Sequence, residues 1–370
     1  MEYIVSARKY RPATFDAVEG QNNITVTLKN AIKNKQLAHA YLFCGPRGVG
    51  KTTCARIFAK TINCLNLPDD TEPCNECESC KSFNENRSFN IHELDAASNN
   101  SVDDIRLLTD KVRIPPQIGK YSVYIIDEVH MLSQAAFNAF LKTLEEPPNH
   151  AIFILATTEK HKILATILSR CQTFDFNRIS VETAVEYLKF VASKEGISVE
   201  EDAFIVIAQK ADGAMRDALS IFDQIVAFSG KNITYQQVID NLNVLDYDYY
   251  FRLTEAFLKE DTTSALLIFN DILNHGFEGS HFIYGLSAHF RDLLVCKDPQ
   301  TVTLLETGAS IRQRYLEQAK VCDVDFLYNA LKTATDCDLN YKMAKNKRLH
   351  VEFALISLSR ILTEKKKPLS

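Results

Sequence analysis

The chain has 370 residues, 46% of them hydrophobic and 24% charged, a balance typical of soluble globular protein and long enough for two or three domains. A net charge of −5 excludes a polycation that grips nucleic acid with its whole surface. No apolar run reaches membrane-spanning length and Met1–Lys9 lacks a signal-peptide pattern, so the expected compartment is the cytoplasm, with no membrane partner.

The first strand candidate, residues 39–44, enters Gly45-Pro46-Arg47-Gly48-Val49-Gly50-Lys51-Thr52, a complete G-x-x-x-x-G-K-[ST] phosphate loop. Its glycines let backbone N–H groups turn inward around phosphate oxygens, and Lys51 brings a compact cation to the β- and γ-phosphates. The Thr52 hydroxyl is a hard oxygen ligand for Mg²⁺, and the helix that continues through Thr53 to Lys60 aims its positive end at the same anion. After that helix, residues 63–82 interrupt the pattern with Cys64, Cys74, Cys77 and Cys80. Three thiols at three-residue intervals and a fourth nearby can close a tetrahedral S₄ shell, which points to structural zinc; an iron–sulfur cluster takes the same ligands. No pattern of histidine or carboxylate leaves an open catalytic position. Cys44, Cys54, Cys171, Cys296, Cys322 and Cys337 sit in apolar contexts and read as core.

Residues 89–94 form the second strand candidate and 122–127 the third. The third ends in Asp127-Glu128, at the strand tip where open α/β sheets bind ligands. Asp127 is placed to hold Mg²⁺, usually through water, and Glu128 to orient and deprotonate an attacking water. Met131–Leu144 reads as a helix packed on the core, with contact to a partner as the alternative. The strand at 151–156 ends in Thr157-Thr158, where a polar tip can hydrogen-bond the attacking water or the γ-phosphate, or simply cap the strand. Arg170 precedes the last strand candidate, 172–176, and Lys160–Leu168 offers it no acid partner. It reads as a surface arginine or as a finger reaching a neighbouring subunit's nucleotide. Lys111, Arg113 and Lys120 are candidates for nucleic-acid contact that read first as solvated charge.

Five strands with crossover helices imply a parallel sheet covered on both faces. From Ser180 onward strands disappear. Helices are expected over 181–194, 200–211, 215–228 and 234–241, with a break at Gly213-Ala214. Arg216 opens one of them, poised either for a γ-phosphate in its own subunit or for an ion pair with Asp212 or Asp217. Longer amphipathic stretches follow at 247–258, 265–275, 279–295, 308–319, 324–340 and 347–362, a bundle with its own core, and Lys365-Lys366-Lys367-Pro368 reads as a solvated tail.

The constellation resembles the gamma/tau subunits of bacterial DNA polymerase III, clamp-loader ATPases of the AAA+ superfamily. The carrying stretches are Ala7–Pro12, Gly20-Gln21, His39–Thr53, the four-cysteine insertion, Glu93–Ser98, Ile125–Leu132, Ala156–Glu159, Ser169–Gln172 and Gly213–Leu219. The resemblance keeps its motifs in order to about residue 240 and continues more loosely beyond. The cysteine insertion is the discriminating feature.

It implies an α/β AAA+ domain over 1–178 with a RecA-like parallel sheet and the zinc module, a helical lid over 179–242, and a helical collar over 243–370. It also implies ATP and Mg²⁺ held by Lys51, Thr52, Asp127 and Glu128 within the loop Gly45–Thr53. Thr157 matches the first sensor, Arg216 the second, and Arg170 the finger that acts in trans. Tyr10-Arg11-Pro12 with Val18 matches the lining of the adenine pocket. The implied partners are other clamp-loader subunits through the collar, the sliding clamp, and primer–template DNA. A polymerase (nucleotidyltransferase) label could attach only through the holoenzyme, because no acid constellation of a polymerase palm is present.

In two places the chain departs from the family pattern. Ala165 stands where the family often has proline before Thr-Ile-Leu-Ser-Arg-Cys, which softens the loop carrying Arg170. Long members continue past the collar with helicase- and polymerase-binding segments, whereas this sequence stops at Ser370, so neither tethering role falls on these residues. Two rival functions share the same motifs: a nucleotide-gated scaffold with little turnover, and another AAA+ DNA-remodelling ATPase such as a branch-migration motor.

Overall fold

The computed structural model describes residues 4–85, 87–116 and 119–365. Of the lysine-rich tail only Lys365 falls among them, as the last residue of the final helix. Contacts divide the chain into two compact units, Met1–Glu195 with Ile207–Gln224, and Gly196–Val206 with Ile225–Ser370.

The first unit is built on a parallel sheet of β1 (Ala40–Cys44), β2 (Ile91–Asp95), β3 (Ser122–Asp127), β4 (Ala151–Thr157) and β5 (Gln172–Asp175), in the order β2-β3-β4-β1-β5. β1 and β4 are buried along their whole length, as central parallel strands covered on both faces must be. Their side chains alternate between two cores. Tyr41, Phe43, Ile125 and Ile154 pack with Ile57 and Phe58 of the phosphate-loop helix. Leu42, Tyr124 and Phe153 pack on the other side with Ile105 and Phe140. The helix Gln134–Glu145 contributes Ala136, Phe137, Phe140 and Leu144 to that second core, so core packing accounts for its apolar face. Cys44 and Cys54 are buried, and Cys171 is half-buried.

The register places four strand tips side by side. Cys44 pairs with Thr157, and Asp95 pairs with Asp127. The Gly45 N–H then donates to the Thr157 carbonyl at 3.2 Å, tying the start of the phosphate loop to the end of β4.

Strands do not wholly disappear after Ser180. A parallel pair, β6 (Ser198–Val199) and β7 (Asn232–Ile233), lies within the second unit. Two residues are too few to show a period of two in sequence, which is why neither was legible. The rest of that unit is helical. Its core gathers Phe257, Phe282, Leu286, Phe290, Phe326 and Leu355 from helices of the expected C-terminal set, with Cys296, Cys322 and Cys337 buried among them.

One polar cluster interrupts that apolar core. His289 is buried, with Nδ1 3.0 Å from the Tyr315 hydroxyl and Nε2 3.1 Å from Thr254 Oγ1 and 3.3 Å from Gln318 Oε1. Burial holds its pKa down at about 3. The folded state therefore keeps His289 neutral, while the unfolded chain takes up a proton below pH about 6.5. Stability should be full above that value and fall as pH drops towards 3. Between pH 7 and 5.5 the second unit should lose about 1 kcal/mol through this residue. Denaturant titration of wild type and His289→Gln at both pH values checks it, the variant showing the shallower pH dependence; equal slopes would remove His289 as the cause.

Candidate functional site

The phosphate loop joins β1 to the helix Lys51–Ile62. Gly45 must be glycine: at φ +146° its missing Cβ would lie 2.4 Å from the Phe176 carbonyl oxygen. Gly48 has φ +78°, and a Cβ there would meet the Ala214 Cβ at 2.9 Å. Gly50 caps the helix in the left-handed region. Gln21 braces the loop from behind, its side-chain amide donating to the carbonyls of Asn177 at 2.8 Å and Val49 at 3.4 Å. Lys51 is only 5% exposed, and Nζ donates to the carbonyls of Gly45 and Pro46 at 2.7 and 2.6 Å. Burial pulls its ammonium below the ordinary pKa, against the opposing charges of Glu128 and Asp127. Arg47 is exposed and Val49 buried.

The acidic half of the site faces this loop. Thr52 Oγ1 donates to Asp127 Oδ2 at 2.6 Å, and the other Asp127 oxygen accepts the Glu128 N–H at 3.0 Å. Glu128 takes a left-handed conformation, φ 48°, which turns the chain sharply off the strand. Its carboxylate is held by Thr158, whose N–H and hydroxyl donate to Oε2 at 3.2 and 2.9 Å. His130 Nδ1 lies 3.3 Å from the same oxygen and 3.0 Å from Thr157 Oγ1, while Nε2 is 3.3 Å from Glu159.

Thr157 itself is fully buried, and its hydroxyl serves His130 and accepts the Glu159 N–H at 3.0 Å. The strand-tip residue that touches Glu128 is thus Thr158. Sequence reasoning named the polar tip Thr157-Thr158 but gave the sensor role to Thr157 alone, and it missed His130. The threonine pair and a histidine two residues past Asp127-Glu128 were the available signals.

Two of the remaining candidates, Arg11 and Arg216, touch the loop. Arg11 Nε donates to Thr53 Oγ1 at 3.2 Å. Desolvation first, then the charges of Arg56 and Arg216, pull the Arg11 guanidinium below its ordinary pKa, while Glu93 and Asp127 oppose them. Arg216 is exposed at the start of the helix Met215–Ser229, with its backbone N–H 3.3 Å from the Gly48 carbonyl. Asp212, one of its expected partners, pairs instead with Arg178. Val18 is buried, and its N–H closes a turn onto the Phe15 carbonyl at 3.0 Å. Tyr10 bonds Glu195 through its hydroxyl and accepts from the Tyr187 hydroxyl through its carbonyl at 2.6 Å, with Pro12 half-buried nearby in the chain.

Arg170 does not join this group. Its guanidinium bonds Glu145 at 2.8 Å and the Thr166 carbonyl at 2.7 Å. The acid partner that Lys160–Leu168 lacks comes from the helix Gln134–Glu145, brought alongside by the fold. Lys120 is exposed, as are Lys111 and Arg113.

The four cysteines converge. The Sγ atoms of Cys64, Cys74, Cys77 and Cys80 all lie within 4.8 Å of one another. A tetrahedral Zn–S shell has sulfur–sulfur edges of roughly 3.8 Å, so small adjustments close it. Backbone amides already point at the sulfurs: Cys74 N–H towards Cys64 at 3.5 Å, Cys77 N–H towards Cys74 at 3.3 Å, and Cys80 N–H towards Cys77 at 3.4 Å. Burial pushes the Cys77 thiol up, but the N–H groups of Leu65 and Cys80 and the neighbouring thiols outweigh it and bring the pKa to about 6. The donor set thus fits a soft, four-coordinate metal.

Comparison with known proteins gives the family. Residues 20–180 match the model described as DNA polymerase III, delta subunit, and residues 183–231 match the clamp loader subunit ATPase lid domain. The chain is 41% identical to the DNA polymerase III subunit tau of Bacillus subtilis over 97% of its own length and 63% of that protein. It is 38% identical to the Escherichia coli tau subunit over 96% of its length and 55% of that one. It therefore spans little more than half of these longer relatives.

Against the gamma subunit of Buchnera aphidicola (from Acyrthosiphon pisum) the match is 35% identical and covers 96% of this chain and 98% of the other. Among solved structures, the RuvB Holliday junction branch migration motor of Thermotoga maritima aligns at 21% identity, with a TM-score of 0.47, over 68% of this chain and 80% of that one. An alignment that loose carries no argument. The near end-to-end match to a gamma subunit, on a sheet that brings the phosphate loop and Asp127-Glu128 to one edge, settles the matter: the chain belongs to the DNA polymerase III gamma/tau subunit family, on a parallel-sheet α/β fold with an ATPase lid domain and a C-terminal helical region.

Proposed function

We propose that this chain is an ATP-hydrolysing motor subunit of a clamp loader, which works with other loader subunits to place a sliding clamp on primer–template DNA in the cytoplasm. The observation that carries this reading is the 2.6 Å contact between Thr52 and Asp127, which joins the phosphate loop to the acidic strand tip. Two hard oxygen donors there suit Mg²⁺, which when bound neutralises charge on the transferring phosphoryl group. Lys51 exchanges its loop carbonyls for the β/γ-phosphates. Glu128, held by Thr158, takes the proton of the attacking water. Thr157 acts as the first sensor through His130, which touches the same carboxylate. Arg216 senses the γ-phosphate from the lid of the same subunit, and Tyr10, Arg11, Pro12 and Val18 line the adenine pocket.

Arg170 acts in trans. Its ion pair with Glu145 is exposed, and such pairs contribute only about 0–1 kcal/mol, so exchanging Glu145 for a neighbour's phosphate costs little. This explains why hydrolysis would require assembly through the collar at 243–370, which follows the lid at 179–242 in the chain. The four cysteines hold structural zinc in this reading. The polymerase label belongs to the holoenzyme.

Single-turnover hydrolysis in a reconstituted loader, with clamp and primed DNA, tests the assignment. Arg170→Ala should lower the rate by about 10³-fold or more, while ATP binding to the isolated chain stays unchanged. A wild-type rate would remove the finger. Glu128→Gln should bind ATP and fail to hydrolyse it; unchanged hydrolysis would remove Glu128 as the base.

Elemental analysis should find zinc in the purified chain, with no absorbance from an iron–sulfur cluster. Cys77→Ser should lose zinc to a chromophoric chelator at lower chelator concentration and unfold at lower denaturant. A metal-free wild type of full stability would refute the zinc assignment.

A further inference from the structure

Glu72 lies within the cysteine module, two residues before Cys74, yet its side chain serves a different part of the unit. It is 8% exposed, and both carboxylate oxygens are engaged. One accepts the Phe15 N–H at 2.8 Å. The other accepts the Asp16 N–H at 3.1 Å and pairs with Lys29 Nζ at 2.6 Å. Lys29 also bonds Asp16 at 2.6 Å, so two acids, one ammonium and two successive backbone amides form a closed cluster. Phe15 is fully buried and its carbonyl receives the Val18 N–H, so Glu72 holds the first residues of the turn that sets Val18.

The loop presenting Glu72 is itself locked. Thr71 sits at φ 60° with its N–H on the Pro68 carbonyl, and the Glu72 N–H donates to Asp70. Asp69 and Asp70 point to solvent, whereas Thr71, Glu72 and Pro73 are buried. A metal closing Cys64 and Cys74 would pin both ends of this loop.

We propose that Glu72 is a positioning residue through which the cysteine module sets the adenine-facing segment Tyr10–Val18, so that the module contributes to recognition of the base and not to binding of the phosphates. This rests on the adenine-pocket reading given above. Charge-assisted bonds to two backbone amides are strong and directional, and an amide in place of the carboxylate must turn an NH₂ group towards an N–H or towards Lys29.

The test compares equilibrium binding of Mg-ATP and Mg-tripolyphosphate to the full chain. Glu72→Gln should weaken ATP about tenfold and leave tripolyphosphate within about twofold, since the loss falls on base contacts alone. Val18→Ala is the control for the pocket, and it too should lose ATP selectively. Selective loss in Val18→Ala but not in Glu72→Gln overturns the link and leaves the pocket reading intact. No selective loss in Val18→Ala overturns the pocket reading and the link with it. Equal loss of both ligands in Glu72→Gln marks a merely structural residue and also overturns the proposal. Should Glu72→Gln fail to fold, Lys29→Met removes the same ion pair from the helix Asn22–Lys33 and carries the same comparison.

Discussion

Every candidate residue of the nucleotide site depends on the parallel register of β1 against β4. Because Cys44 stands beside Thr157, the phosphate loop leaves the sheet at the level of the β4 tip, and β3 on the far side of β4 delivers Asp127 to the same edge. A one-residue slip would turn each strand's side chains to the opposite face. Tyr41 and Phe43 would then lose the phosphate-loop helix, and the apolar cores would oppose the slip with many buried aromatics. The 2.6 Å contact of Thr52 with Asp127 is thus enforced by hydrophobic packing several residues away. The polar site is positioned by the apolar sheet beneath it.

A second layer of constraint sits on Glu128. In the proposed reading this acid takes a proton from water and has to be aimed, and Thr158 and His130 hold it from two different segments. The same histidine reaches Glu159, which is paired with Lys162. From Thr158 the chain runs through this short turn and the helix Ala165–Leu168 to Arg170. In the proposed reading, the threonine that holds the base of one site and the finger offered to the next are therefore ends of a single short segment. Movement of that segment would be felt at both, which gives a physical route from assembly to catalysis without a long chain of intermediaries.

What was legible in the sequence is what local spacing encodes. The strands β1, β3 and β4 read as continuous apolar runs, the phosphate loop as its own motif, and the thiols as a cluster, because each signal lies within a few residues. The missed partners are separated along the chain. Glu145 reaches Arg170, Thr158 reaches Glu128, and Glu72 reaches Phe15, and only the topology of the sheet and its crossovers brings these pairs together. An acid in a polar loop such as Asp69-Asp70-Thr71-Glu72 looks like solvated charge until the fold buries it. The strands β6 and β7 were invisible for a different reason, being no longer than one period of the pattern that reveals strands.

The helix Lys51–Ile62 makes the cysteine module more than an appendage. Its N-terminus carries the phosphate loop, and near its C-terminus Lys60, 4% exposed, donates to the amide oxygens of Asn75 inside the module and of Asn84 just past it. Burial pulls the Lys60 ammonium below its ordinary pKa, with Cys80 the first charge to counter it. A buried ammonium satisfied by neutral amides is expensive unless negative charge lies close by. Four thiolates around one dication leave two negative charges, which is the compensation such a lysine needs. In the proposed reading the same helix therefore offers a cation to an anionic ligand at each end: Lys51 to phosphate, Lys60 to a thiolate centre. With Glu72 reaching from the module to Phe15, the cysteine cluster and the nucleotide site share one rigid helix and one buried carboxylate. A module built only to fold itself would need neither connection.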